Sequence, residues 1–360
     1  MEKIMSGSPA ISDTIKLERH GGEKGENEIL YDFSVNLNPL GMPEAVKTAV
    51  AGQLSGMECY PDDSCRLLRN KIAGREGIPP EWILCGNGAA DLIYRIAYGI
   101  RPKQALLTAP TFSEYERALD LTGCQIHYYD LKREDEFRLP ADFTEQLTEQ
   151  IGICFLCQPG NPVGNLIPRE QLRKILKVCE ENKILLILDE CFLALTGYDN
   201  DYDMTEFLRD SSVLFILKAF TKTYAMAGLR LGYLMSSNLE LLDKIKAAGA
   251  PWSVSVPAQL AGTAALEMEQ EAYLKRAVKL IREERAYLVS GLEKIGYRII
   301  PGVSNFILFE GRLGLYEELL KQKILIRRCG NYRNLDCGYY RIAVRSHEEN
   351  MILLRAMKNI

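Results

Sequence analysis

The sequence has 360 residues, of which 47% are hydrophobic and 26% are charged, and its formal net charge is −4. These values are typical of a globular protein that is large enough for two domains, and the acidic balance argues against nucleic acid as the main partner. No apolar run reaches the roughly 18–20 residues of a membrane-spanning helix, and residues 1–13 lack the apolar stretch of a signal peptide. We therefore expect a cytoplasmic enzyme.

Ten cysteines are scattered along the chain. Cys154 and Cys157 have the spacing of metal ligands, but no second pair of this kind exists and the chain has only three histidines. We therefore predict no metal site, and we expect reduced and mostly buried thiols.

Short apolar runs alternate with amphipathic segments through the middle of the chain. We predict buried strands at residues 104–109, 151–157, 184–188 and 212–217, and a helix over 168–182. This alternation predicts an α/β fold with a mainly parallel central sheet flanked by helices. In such a sheet, ligands bind at the carboxyl ends of the strands.

The pattern changes near Pro251 and Trp252. A long helical stretch over 257–295, which can be two helices meeting end to end, comes first. Strands are then predicted near 297–300, 304–309, 324–327 and 339–344, with helices near 313–323 and from 347 onward. We therefore predict an N-terminal arm (1–40) that associates with the small domain and the site, a large domain (41–250) and a small C-terminal α+β domain (251–360).

The most informative stretch is LKAFTKTYAMAGLRLGY, at residues 217–233. Lys222 follows a predicted strand, and Arg230 lies eight residues later between two glycines. A lysine at a strand end can form a Schiff base with an aldehyde once burial or a nearby cation lowers its pKa, and an arginine close by can bind a phosphate. Taken one at a time, however, most lysines and arginines are solvated surface residues, so the spacing alone is a weak signal.

Three further segments point to the same chemistry. Asp189 ends a predicted buried strand, where its carboxylate needs a partner such as a protonated pyridine nitrogen or an arginine. Residues 85–90 (CGNGAA) follow a strand and open a helix, whose N–H groups can bind phosphate. Asn161, in QPGNPVG, can hold a ring hydroxyl or cap a turn.

In this order, the motifs resemble those of the fold-type I pyridoxal-phosphate (PLP) enzymes of the class I/II aminotransferase superfamily. The matching motifs are Tyr60-Pro61, Gly86-Asn87-Gly88, Asn161-Pro162, Asp189-Glu190, Thr221-Lys222 and Gly228-Leu229-Arg230. The resemblance implies a large PLP-binding domain, a smaller C-terminal domain and PLP as the cofactor.

The resemblance also implies a role for each matching residue. Lys222 would bind the cofactor as a Schiff base and move a proton, while Asp189 would pair with the pyridinium nitrogen. The other implied cofactor contacts are Gly88, Ala89, Thr221 and Arg230 at the phosphate, Asn161 at the ring oxygen, Phe112 against the ring, and Tyr60 at the phosphate of a neighbouring subunit. The role of Tyr60 implies a homodimer with shared sites. Two positions depart from the pattern, since Phe192 replaces a common tyrosine and Ala219 replaces a hydroxyl residue.

Within the superfamily, the sequence resembles the threonine-phosphate decarboxylases of cobalamin biosynthesis. The similarity rests on His20-Gly21-Gly22, on residues 32–41, 251–254 and 324–346, and on Phe192. It implies decarboxylation of L-threonine O-3-phosphate to (R)-1-amino-2-propanol O-2-phosphate. The alternatives are a histidinol-phosphate or related aminotransferase, a decarboxylase of L-serine O-phosphate, and a non-catalytic PLP-binding module.

A substrate with a carboxylate and a phosphate calls for several fixed cations. Arg341 matches the carboxylate-binding arginine of the superfamily, and Arg345 is expected four residues later on the same strand face. Arg327 and Arg328 end a neighbouring strand and point to opposite sides, with Arg328 towards solvent. The predicted substrate-binding residues are His20, Asn38, Arg327, Arg341 and Arg345.

Overall fold

The computed structural model describes residues 20–23 and 27–360. The strands are β1 (Tyr31–Asp32), β2 (Ile83–Gly86), β3 (Gln104–Ala109), β4 (Gln125–Asp130), β5 (Ile153–Cys157), β6 (Leu185–Asp189), β7 (Leu214–Ala219), β8 (Gly232–Met235), β9 (Arg298–Ile299), β10 (Phe306–Glu310), β11 (Ile324–Leu325), β12 (Arg327–Arg328) and β13 (Tyr339–Ala343). The helices are α1 (Glu44–Ala51), α2 (Arg66–Glu76), α3 (Gly88–Ile100), α4 (Ser113–Asp120), α5 (Arg169–Asn182), α6 (Asp199–Tyr202), α7 (Phe220–Thr223), α8 (Leu239–Ala247), α9 (Val256–Glu267), α10 (Gln270–Lys294), α11 (Leu315–Lys321) and α12 (His347–Lys358).

The large sheet has seven strands in the order β2-β8-β7-β6-β5-β3-β4. β8 runs antiparallel to both of its neighbours, and the other pairs are parallel. This arrangement confirms the predicted fold class, an α/β fold with a mainly parallel sheet.

The central strands are buried on both faces, which explains their continuous apolar sequences. Along β5, for example, Cys154 and Leu156 belong to one hydrophobic core, whereas Ile153 and Phe155 belong to another. Successive side chains of a strand point to opposite faces, so each strand contributes to both cores.

The C-terminal part contains an antiparallel sheet with the order β12-β13-β10-β9. Its core includes Leu288 of α10, Ile342 of β13 and Leu353 of α12. The long predicted helical stretch is two helices, of which α9 packs against α1 and α2, while α10 packs against α12 and β9. β1 pairs with β11, and thereby ties residues 31–32 to this part of the chain. The predicted division into arm, large domain and small domain stays a prediction.

In the part of the chain that the structure describes, no helix has both the length and the apolar character needed to cross a membrane.

Candidate active site

A cavity of about 320 Å³ opens where β5, β6 and β7 end at the same edge of the large sheet. Residues of β12 and β13 lie on its other side, so both parts of the molecule form its wall. Ten of the predicted site residues line it, namely His20, Ala89, Phe112, Asn161, Asp189, Thr221, Lys222, Arg230, Arg327 and Arg341.

Lys222 lies on α7, which follows directly after the end of β7. Burial lowers the pKa of its ammonium from 10.5 to about 8, and the positive charges of Arg341 and Arg230 contribute to the same shift. Its Nζ atom lies 5.8 Å from the centre of the Phe192 ring. A lysine of this kind loses its proton readily and is then a nucleophile.

Asp189 is the last residue of β6 and is buried. The hydroxyl of Tyr115 donates a hydrogen bond to its Oδ2 atom at 2.6 Å, and the backbone N–H of Cys191 donates to Oδ1 at 3.0 Å. Burial raises the pKa of this carboxyl group, while these two hydrogen bonds and Lys222 oppose the rise. The pair of donors holds the carboxyl group at the cavity wall. Tyr115 itself stacks on Phe155, with 4.9 Å between the ring centres.

The start of α3 and the guanidinium of Arg230 meet at one end of the cavity. Gly88 has a φ of 83°, and a Cβ atom there would lie 2.5 Å from Nη2 of Arg230. A Cβ atom on Gly232 would lie 2.7 Å from the backbone nitrogen of Ala89. These glycines let a helix N-terminus and an arginine approach closely, which is the donor set that a phosphate group needs. Thr221 lines the cavity and adds a hydroxyl group to it.

The residues present therefore fit pyridoxal phosphate, which requires an amine for its aldehyde, an acid for its ring nitrogen and donors for its phosphate. Lys222 and Asp189 supply the first two, and the cradle around Gly88 and Arg230 supplies the third. Asn161 and Phe112 lie at the same wall, and Asn161 Oδ1 accepts a hydrogen bond from Nη1 of Arg341.

Two buried arginines lie at the opposite wall of the cavity. Arg327 and Arg341 are paired across β12 and β13, with 1% and 5% of their surfaces exposed. Arg341 also donates to the Ser34 carbonyl and to the Tyr332 hydroxyl, each at 3.3 Å. Arg327 donates to Oδ1 of Asn331 at 2.8 Å. Buried guanidinium groups with fixed orientation suit a small substrate with more than one anionic group.

Arg328 points away from Arg327, as the alternation along a strand predicts, but it does not extend into solvent. Its guanidinium donates to Oε1 of Glu317 at 2.9 Å and lies 4.1 Å from the centre of the Tyr316 ring. Both partners belong to α11, which covers this face of the sheet. The expectation of a solvent-facing side chain is therefore wrong.

Arg345 lies outside the residues that line the cavity. β13 ends at Ala343, and Ser346 and Glu349 form a capping box that begins α12. Nη2 of Arg345 donates to Oε1 of Glu349 at 2.7 Å. The expectation that Arg345 shares a strand face with Arg341 is therefore wrong, because the strand ends two residues before it. A role in substrate binding stays a prediction.

Asn38 and Tyr60 also lie outside the lining. Asn38 is buried, and its side chain donates to the Thr223 carbonyl at 2.8 Å, while its backbone N–H donates to the Lys222 carbonyl at 3.2 Å. Tyr60 is 79% exposed and stacks on Trp252, with 4.5 Å between the ring centres. The predicted roles of both residues, at the substrate and at a neighbouring subunit, stay predictions.

Several residues that line the cavity are not among the site residues predicted from the sequence. Asn36 is buried at the wall, and its Oδ1 atom has no hydrogen-bond partner among the described residues. The sequence marked the segment 32–41 but offered no signal to choose Asn36 over Asn38. Tyr332 belongs to the unusual segment 324–346, and Glu114 lies two residues after Phe112.

The family model for class I and II aminotransferases matches residues 28–357. The chain therefore belongs to the class I and II aminotransferase family. It is 38% identical to a threonine-phosphate decarboxylase of Salmonella typhimurium, over 92% of this chain and 91% of that protein. It is 31% identical to an adenosylcobalamin biosynthesis bifunctional protein of Leptospira interrogans, over 96% of this chain and 41% of that protein.

Among solved structures, the histidinol-phosphate aminotransferase of Clostridium acetobutylicum matches with a TM-score of 0.85 and 31% identity, over 92% of this chain and 98% of that one. These similarities confirm the resemblance to the superfamily and, within it, to the threonine-phosphate decarboxylases.

Proposed function

We propose that this protein is a PLP-dependent lyase that decarboxylates L-threonine O-3-phosphate to (R)-1-amino-2-propanol O-2-phosphate, the linker of the cobalamin nucleotide loop. The observation that carries the proposal is the cavity itself, in which Lys222 and Asp189 face the buried pair Arg327 and Arg341. The 38% identity to a threonine-phosphate decarboxylase supports the choice of reaction.

Pyridoxal phosphate, when bound, supplies an aldehyde for an amine and a ring that accepts the electrons of a broken Cα bond. Lys222 provides the amine that holds it, and the lowered pKa lets Nζ give up and take back a proton near neutral pH. Asp189, whose carboxyl group is held by Tyr115 and Cys191, would provide the negative charge that pairs with the ring nitrogen.

The arginines would decide which bond of the substrate breaks, because they fix how the substrate is oriented in the cavity. Arg341 would bind the substrate carboxylate and Arg327 would bind the phosphate, so that the two anionic groups fix the orientation of the substrate in the cavity. Lys222 would supply the proton that Cα takes up in place of the carboxylate, which leaves as carbon dioxide. The protein acts mainly by positioning.

We also propose that the working enzyme is a cytoplasmic homodimer in which Tyr60 reaches the cofactor phosphate of the other subunit. The exposure of Tyr60 and its fixed stacking on Trp252 support this arrangement. Tyr60→Phe should weaken cofactor binding in a dimer. Mixing Tyr60→Phe subunits with Lys222→Ala subunits should restore part of the activity only if sites are shared.

Transamination of histidinol phosphate is the second candidate, because a histidinol-phosphate aminotransferase has the same fold at 31% identity. One experiment separates the two reactions. The holoenzyme is incubated with L-threonine O-3-phosphate, L-serine O-phosphate or histidinol phosphate without any keto acid. Repeated turnover with release of carbon dioxide supports decarboxylation, whereas a single turnover that ends with the amine form of the cofactor contradicts it.

A further inference from the structure

An acidic side chain lines a cavity whose other charged groups are mostly cationic. Glu114 belongs to the first turn of α4, and only 8% of its side chain is exposed. It shares the wall with Lys222, Arg327 and Arg341. An uncompensated carboxylate there would repel an anionic substrate, so its partners determine what it does.

Three donors from three parts of the chain converge on this carboxylate. Nε2 of His20 lies 3.1 Å from Oε1, the hydroxyl of Tyr94 donates to Oε2 at 2.8 Å, and Nη1 of Arg117 donates to Oε1 at 3.0 Å. Burial alone would raise the pKa of Glu114, but these hydrogen bonds overcome it and lower the pKa to about 2. Glu114 is therefore an ionised and fixed group near neutral pH.

The backbone that follows His20 contacts the cavity wall. The N–H of Gly22 donates to Oγ of Ser34 at 2.7 Å, and Gly22 has a φ of 83°. A Cβ atom on Gly21 would lie 2.1 Å from the Ser34 carbonyl oxygen, so only glycine allows this approach. Ser34 itself lines the cavity. The two glycines thus bring residues 20–23 over the cavity, and Glu114 receives the His20 ring there.

The position of His20 leaves it able to contact a substrate. With Nε2 at Glu114, the imidazole has its second nitrogen, Nδ1, for another partner, and the described residues give Nδ1 none. Nδ1 can therefore face a ligand while Nε2 stays at Glu114. The ring also lies beside Phe112, with 6.4 Å between the ring centres.

We propose that Glu114 is a positioning residue, which docks residues 20–23 over the cavity through His20 and thereby sets the affinity for the phosphorylated substrate. The inference rests on the proposed function and adds a residue to it. Glu114 acts through His20, whose ring contacts the substrate phosphate, and it does not take part in breaking the bond to the carboxylate.

The first test is kinetic and uses the holoenzyme with L-threonine O-3-phosphate. Glu114→Gln should raise KM about tenfold or more and change kcat less than about twofold, because a charge-assisted contact to the bound anion is lost. Glu116→Gln is the matched control, since Glu116 lies in the same helical turn but pairs with Arg333, away from the cavity. It should leave both constants unchanged.

His20→Gln checks the same contact without altering α4, and should raise KM to a similar extent. The double variant should be no worse than either single variant, because the two side chains act as one unit. Additive effects, an unchanged KM in Glu114→Gln, or a lower KM caused by simple removal of a negative charge would each overturn the inference.

A second readout is independent of turnover. Hydrogen–deuterium exchange of the holoenzyme should be faster at residues 20–23 in Glu114→Gln than in the wild type or in Glu116→Gln, because these residues lose their docking point. Unchanged exchange would overturn the docking role. If the wild type fails to decarboxylate threonine phosphate, the proposed function is wrong, while this exchange experiment still decides whether Glu114 docks residues 20–23.

Discussion

Two lysines four residues apart have opposite surroundings. Lys218 and Lys222 lie on either side of Ala219, and each lines a different cavity, of about 360 Å³ for Lys218 and about 320 Å³ for Lys222. Ala219 lines both cavities. The comparison separates the effect of burial, which the two lysines share, from the effect of neighbouring charge.

Lys218 is surrounded by acids. Its Nζ atom lies 2.8 Å from Oε2 of Glu76, 2.6 Å from Oδ2 of Asp203 and 3.7 Å from Oε2 of Glu190. Burial would lower the pKa of Lys218, but these carboxylates reverse the effect and hold it well above 10.5. Tyr233 donates a further hydrogen bond to Glu76 at 2.6 Å. Lys218 is thus a permanent cation that neutralises buried acids.

Lys222 instead has cations beside it. Burial and the guanidinium groups of Arg341 and Arg230 lower its pKa to about 8, although Asp189 opposes them. The difference teaches that the sign of the neighbouring charge, and not burial, separates a reactive lysine from a structural one. We expect substitutions at the two positions to affect different properties of the protein.

The largest effect is expected for Lys222→Ala, measured as decarboxylation of L-threonine O-3-phosphate by protein loaded with cofactor. Activity should fall by about 10³-fold or more, since both the covalent attachment and the proton transfer are lost. Lys218→Met, assayed as the folded fraction, should retain activity within a few-fold. Native activity in Lys222→Ala would contradict the assignment of the reactive amine.

The second-largest effect is expected for Lys218→Met, and it concerns the stability of the protein and not its activity. Lys218→Met should lower the free energy of unfolding by about 3–5 kcal/mol, because it leaves buried carboxylates without their cation. Urea unfolding of the apoprotein measures this change. The double variant Lys218→Met/Glu190→Gln should recover part of the loss. An unchanged midpoint in Lys218→Met would show that water, and not Lys218, solvates these acids.

From the sequence, only the resemblance to the class I/II aminotransferase superfamily identifies Lys222, and not Lys218, as the reactive lysine. Apolar strands and amphipathic helices predicted the α/β sheet, and the motif order predicted Lys222, Asp189 and Arg230 at one cavity. Both lysines lie in the stretch LKAFTK at residues 217–222, and composition and spacing alone could not show which of them is the reactive one. The acids around Lys218 come from Glu76 and Asp203, which lie 142 and 15 residues away and meet only in the folded chain.

The errors of the sequence reasoning have a shared physical origin, because side-chain direction depends on where an element ends. Arg345 was expected on a strand, but the capping box of Ser346 and Glu349 begins a helix there. Glu114 and Tyr332 line the cavity because of tertiary packing, which the local sequence pattern does not predict. Strand and helix positions follow from periodicity, whereas the partners of a polar side chain do not.

The third prediction is pH dependent and uses the apoprotein. Below pH 8, Lys222 is protonated in both the folded and the unfolded chain, so the folded state carries the full cost of the buried charge, up to about 3 kcal/mol for a shift from 10.5 to about 8. Between pH 8 and 10.5 the folded state has released the proton while the unfolded chain still binds it, so stability from this group rises with pH.

Lys222→Met should therefore be more stable than the wild-type apoprotein at pH 7, and the difference should fade as the pH rises to about 10.5. Urea unfolding at several pH values measures it. Lys218→Met provides the contrast, because it should be less stable than the wild type at pH 7. A stability difference for Lys222→Met that is the same at pH 7 and pH 10 would contradict the lowered pKa.

The smallest effect is expected at two asparagines near Lys222. Asn38 fixes the turn that carries the lysine, through its hydrogen bonds to the Lys222 and Thr223 carbonyls. Asn38→Ala should lower the free energy of unfolding by about 1–3 kcal/mol, because it leaves the buried Thr223 carbonyl unpaired. It should also reduce kcat several-fold, since Nζ of Lys222 is held less firmly. Urea unfolding measures the first change, and steady-state kinetics measure the second.

Asn36→Ala is the matched comparison, because the Oδ1 atom of Asn36 has no partner to lose among the residues described. Its stability should change by less than about 1 kcal/mol, whereas KM should rise, since Asn36 lines the cavity and Asn38 does not. The reverse pattern, with KM sensitive to Asn38 and stability sensitive to Asn36, would support the predicted substrate-binding role of Asn38 and assign Asn36 to the structural role.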